Sequence, residues 1–196
     1  MASSSVDFDA ARRAMIDSQL RTSGVNEPWV LARMSAVRRE DFVPADARAV
    51  AYIDRSMPLP DGGVLAPPLF HARLLAEARP LPTERALVVD GGSGYLSALL
   101  EGMVKSVEVI SPAQALDGHG GGSVSLLLID GAVERIPDVL AERLADDGRV
   151  VTGVIEDGVT RLAIGRKAAG AIALLPLAEM GIPRLAAFDK PRAWSF

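Results

Sequence analysis

Apolar residues recur at helical spacing over the first part of the chain and gather into short unbroken runs after Pro80. Between residues 9 and 20, Ala11, Met15, Ile16 and Leu20 fall on one helical face, and Gly24 gives that helix a stop. The stretch 25-VNEPWVLARM-34 starts a second helix with Pro28 near its first turn. Two proline-punctuated segments, 37-VRREDFVP-44 and 52-YIDRSMPLPDGGVLAPP-68, read as loops, and a further helix is predicted over 69–78. Beyond Pro80 the pattern predicts strands at 87–89, 107–110, 124–129 and 149–155, with helices at 95–103 and 139–145. Two further runs, 162–165 and 172–176, flank 166-RKAAG-170 and predict an antiparallel hairpin.

Alternating strands and helices imply an α/β chain with a doubly wound, mostly parallel sheet. Residues 1–80 form a helical N-terminal region and 81–196 the sheet core, expected to act as one integrated domain. With 196 residues there is enough chain for one sizeable core. The net charge of −4 gives no reason to expect a nucleic-acid partner, and the apolar runs are too short for membrane insertion. The absence of cysteine excludes disulfides, thiolate catalysis and cysteine-ligated zinc. No run of signal-peptide character opens the chain, so a cytoplasmic location is expected.

The chemistry-bearing stretch is 86-ALVVDGGSGYLSALL-100, where a strand meets a helix through glycines. Missing side chains let backbone N–H groups approach a bound group at a helix N-terminus. The turn lacks the third glycine of a dinucleotide fingerprint, the second glycine of a nucleophile elbow and the lysine of a P-loop. From these residues alone a cofactor turn and an empty structural turn are both open.

The run 15-MIDSQLRTSGVNEPWVLARMSAVRREDFVP-44 closely resembles the start of protein-L-isoaspartate O-methyltransferases. The likeness continues through 51-AYIDRSMPLPDGG-63, 68-PLFHARLLAEARP-80, the glycine turn, 126-LLLIDGAVERIPDVL-140 and 142-ERLADDGRVVTGVI-155. It implies a Rossmann-like class I methyltransferase fold. It also implies S-adenosylmethionine as methyl donor and the free carboxylate of an isoaspartyl residue as acceptor.

Against that pattern four positions depart. The family's serine position falls on Ala66, which has no hydroxyl, so no catalytic residue is assigned. In the turn, one register places Val88, Val89 and Asp90 where an acid, an apolar residue and a glycine are implied; another makes Asp90 the acid. The first keeps Gly92 and Gly94 in place. At the end of the second strand the ribose-binding acid is replaced by Ser111, while Glu108 has the wrong parity. Only twelve residues, 112-PAQALDGHGGGS-123, then precede the third strand, too few for the crossover helix and further strand implied there. The sheet is therefore expected to be trimmed by one edge strand.

The expectation is a protein-L-isoaspartate O-methyltransferase-like chain that is non-catalytic. Asp90, Gly92, Gly94 and Ser111 would be its vestigial cofactor-binding set. It would hold no cofactor, unless S-adenosylmethionine still binds, and would serve as a binding or accessory subunit of a larger assembly. The alternative is an active methyltransferase acting on isoaspartyl peptide. No metal site is expected, because His71 reads as a helix-surface residue and His119 as part of a loop. Asp130 reads either as a ligand-edge acid or as a cap or turn residue, and Asp54 and Arg55 as scaffold. In the tail, Phe188, Trp194 and Phe196 either pack on the sheet or anchor a partner.

Overall fold

The structure, a computed structural model, describes residues 6–191. Residues 1–5, and Trp194 and Phe196 of the tail, lie outside the described residues. Helix α1 (Phe8–Met15) begins where the Asp7 carboxylate accepts the Ala10 N–H at 2.9 Å, an N-cap. It runs on as a π turn over Ile16–Leu20, burying Met15, Ile16 and Leu20 as the periodicity requires. Helix α2 (Pro28–Ala36) carries proline in its first turn, where a missing N–H costs nothing. The loop-rich stretch contains a small hairpin that polar, proline-rich sequence did not announce, β1 (Met57–Pro58) paired with β2 (Val64–Leu65). Helix α3 (Pro68–Ala78) follows, its Leu69 N–H donating to the Asp54 carboxylate at 3.1 Å.

The core is built from β3 (Arg85–Val89), α4 (Tyr95–Leu100), β4 (Ser106–Ile110), α5 (Pro112–Leu116), β5 (Val124–Val133) and α6 (Asp138–Glu142). It continues through β6 (Leu144–Glu156), β7 (Val159–Ala168) and β8 (Ala171–Glu179). Sheet order is β4-β3-β5-β6-β7-β8, with β4, β3, β5 and β6 parallel and β7 and β8 antiparallel. The doubly wound arrangement, the helical N-terminal region and the C-terminal hairpin are as expected. Strands covered on both faces read as continuous apolar runs, which is why 87–89 and 124–129 stood out. Alternate residues feed two cores: Val88 and Leu128 pack with α3 and α4, while Leu87, Val89, Leu127 and Ile129 pack with Leu140 and Phe188. Phe188 is fully buried, so this part of the tail packs on the sheet.

Strand β4 has one neighbour, β3, and is the edge. The twelve residues after Ser111 hold α5 and a glycine loop leading straight into β5, with no strand between them. No helix among the described residues is long and apolar enough to cross a membrane.

Candidate functional site

A cleft of about 590 Å³ opens over the carboxyl ends of β3, β4 and β5, the usual ligand edge of such a sheet. Its walls include Asp61 and Gly63 from the β1–β2 hairpin, Asp90 and Gly92 from the glycine turn, Ser111 from the end of β4, and Asp130 from β5. The hairpin is fastened to the turn: Val64 N–H donates to the Gly91 carbonyl at 2.9 Å. At Gly92 φ is +106°, and a Cβ there would stand 2.6 Å from the Gly63 Cα, so both glycines are required by the close approach.

Asp90 leaves β3 and folds over its own turn. Its carboxylate accepts N–H bonds from Gly92 and Gly94, each at 3.1 Å. Burial raises its pKa above the ordinary carboxylate value, and the Asp130 charge adds to the rise. The two N–H groups only partly oppose it.

Behind the cleft runs a buried chain of polar groups. Arg39, fully buried, donates to the carbonyls of Ala51 at 2.7 Å and of Ala66, and its third contact is His71 Nδ1 at 3.3 Å. A guanidinium has donors only, so Nδ1 accepts. His71 Nε2–H then donates to Asp130 Oδ1 at 2.9 Å. This fixes one neutral tautomer. Desolvation lowers the Arg39 pKa, opposed by Tyr95, whose ring lies 5.1 Å from the guanidinium, and by Asp130. Burial first of all pushes the Tyr95 hydroxyl up to about 12.

A second network lies on the same side. Tyr52 donates its hydroxyl proton to Glu40 and accepts from Arg12 Nε at 2.8 Å. Arg12 also pairs with Glu40 at 3.0 Å. Desolvation alone would raise the Glu40 pKa, but the Tyr52 bond, a backbone N–H, Arg12 and Arg38 outweigh it and set it below the ordinary range.

The structure brings Asp90, Gly92 and Ser111 to the cleft wall and puts Gly94 at the N-terminus of α4, its N–H on Asp90. Ala66 is buried behind them and contributes a carbonyl to Arg39. His71 is not on the helix surface: it is fully buried, because its ring fills the gap between Arg39 and Asp130. Its place three, four and seven residues before Leu74, Leu75 and Ala78 carried that signal. Asp130 caps no helix and makes no turn; it lies within β5, buried against His71. Glu108 faces away from the cleft, as its parity implied, and pairs with Arg143 at 2.8 Å. His119 lies in the loop after α5, as expected.

This sheet order, with a ligand cleft over the parallel strands, defines a Rossmann-like methyltransferase fold. A Plasmodium falciparum protein described as a protein-L-isoaspartate O-methyltransferase, solved in complex with S-adenosyl-L-homocysteine, shares the fold. Its TM-score is 0.70 at 17% identity, covering 92% of this chain and 98% of that one. The family profile Protein-L-isoaspartate(D-aspartate) O-methyltransferase (PCMT) matches residues 10–115. The Protein-L-isoaspartate O-methyltransferase of Koribacter versatilis is 31% identical across 83% of this chain and 85% of its own length. That of Roseiflexus castenholzii is 32% identical across 76% and 79%. The chain belongs to the protein-L-isoaspartate O-methyltransferase family.

Proposed function

We propose that this family member works as a non-catalytic binding or accessory subunit. The observation that supports this most strongly is Asp90. S-adenosylmethionine, the family's methyl donor, carries a carboxylate beside an ammonium at its methionine end and a ribose diol in its nucleoside. The first calls for free N–H groups and the second for an accepting carboxylate. Asp90 already occupies the N–H groups of Gly92 and Gly94 and adds a like charge beside them. At the end of β4, the Ser111 hydroxyl accepts the Gln114 N–H at 3.2 Å, and the Ser111 N–H donates to the Gln114 side chain at 2.9 Å. That reciprocal capping box leaves the serine committed to α5. Ala66 offers no hydroxyl toward an isoaspartyl carboxylate. These groups do not fit the cofactor's carboxylate or its ribose diol.

The second reading, an active O-methyltransferase, draws on one observation: a cleft of about 590 Å³ persists at the ligand edge. Calorimetric titration with S-adenosylmethionine and S-adenosylhomocysteine, followed by a methylation assay on an isoaspartyl peptide, separates the two. The expected result is no heat at millimolar ligand, no rise in melting temperature and no methyl ester. Micromolar binding with turnover replaces the accessory reading with the enzymatic one.

A further inference from the structure

We propose that the cleft is a binding site for an organic cation, a ligand that docks an alkylammonium group on the free oxygen of Asp130. The side chain of Asp130 is completely buried, and Oδ1 receives the His71 N–H. Its Oδ2 has no partner among the described residues. An orphaned buried carboxylate oxygen is among the costlier arrangements in a folded protein, and it calls for a donor. Among the described residues none supplies one: the Arg39 guanidinium reaches Asp130 only through the His71 ring.

The rest of the cleft points the same way. Asp61 and Asp90 share the wall with Asp130. Their hydrogen bonds to Gly63, Gly92 and Gly94 come from neutral N–H groups, which leave the charge in place. Among the described lining residues the cation is Arg184, and it is already held by Glu134 and Asp189, each at 2.7 Å. The wall is therefore net negative and selects against anions. No group of three or more metal-ligating side chains is assembled among the described residues, which argues against a metal ion as the occupant. An ammonium needs only a carboxylate or two, and the volume leaves room for an aliphatic body against Val109, Pro112 and Leu185.

The test is calorimetry at low ionic strength with spermidine and with the pair cadaverine and lysine, which differ by one carboxylate. Spermidine and cadaverine are expected to bind one to one, and lysine at least tenfold more weakly. Asp130→Asn keeps an acceptor for His71 but presents an amide donor to the ammonium, and is expected to weaken spermidine at least tenfold. Asp90→Asn keeps an acceptor for the turn and is expected to weaken it severalfold; melting temperatures verify that both variants fold. Should Asp130→Asn fail to fold, Asp90→Asn carries the comparison. Nα-acetyl-lysinamide distinguishes the source: affinity equal to that of cadaverine assigns the ammonium to a protein lysine, and weaker binding to a free amine. Equal affinity for cadaverine and lysine, no one-to-one binding, or binding unchanged in both variants overturns the proposal. The inference goes beyond the accessory reading. Amine binding together with methyl transfer would remove only that reading, and neither activity would remove only this inference.

Discussion

The two sides of the cleft are built on different principles. On the α3 side, charged and polar groups are sunk into the core and tied end to end: Arg39, His71 and Asp130 in one chain, Arg12, Glu40 and Tyr52 in another. On the β4 side, the wall is a one-turn helix and a glycine loop at the edge of the sheet. Buried networks stand or fall as a unit, because each member removed leaves another unpaired in a low-dielectric interior. A capped turn at an edge can be altered locally. The difference teaches where change is tolerated: Ser111 and residues 112–123 lie on the local side.

Four substitutions would break or sharpen this contrast. Arg39→Leu strands His71 Nδ1 and two carbonyls and removes the charge that balances Asp130. A loss of about 3–5 kcal/mol is expected in urea unfolding. Tyr52→Phe removes bonds to two charged partners and should cost about 2 kcal/mol. Because the Glu40 pKa is depressed in the folded state, its contribution is present above the ordinary glutamate value of about 4.3. It is lost as pH falls through the folded value, so the gap between wild type and variant is widest near neutrality and closes in acid. A pH series of melting temperatures reads this directly. Ser111→Ala removes the cap of α5 and should cost about 1 kcal/mol or less, with faster hydrogen exchange confined to residues 111–123. A global loss as large as that of Arg39→Leu would erase the distinction between the two sides. Asp90→Asn has the smallest expected effect and the opposite sign. A raised carboxyl pKa means stability that is present in acid and lost as pH rises through the folded value. The variant should therefore gain about 0.5 kcal/mol near pH 7, and the gain should vanish in acid.

The sheet was legible because apolar runs and intervening helical patterns are local properties of the chain. Strands β3 to β8 and helices α2 to α4 fall where those patterns put them, with ends moved by a few residues. The short helix α5 had a local signal too: Ser111, Pro112 and Gln114 spell a capping box with proline at the first helical position. Arg39 had none. Within 37-VRREDFVP-44 it reads as one charge among several on a solvated loop. Its burial depends on carbonyls at Ala51 and Ala66 and a ring at His71, supplied by distant parts of the chain. The same holds for the candidate site: the glycine turn could be read, whereas the alignment of Asp130 with Asp90 arises only when β5 is placed beside β3.

A strand at the edge of a sheet is open to recruitment by another chain, since its outer N–H and C=O groups are a template for pairing. Here the loop after α5 is tied to that strand. Arg143, held by Glu108 of β4, also donates to the carbonyls of His119 and Gly122, at 2.7 and 3.1 Å, and so straps the loop against the edge strand. The edge strand thereby carries its own strap, made from the glycine loop that leads into β5.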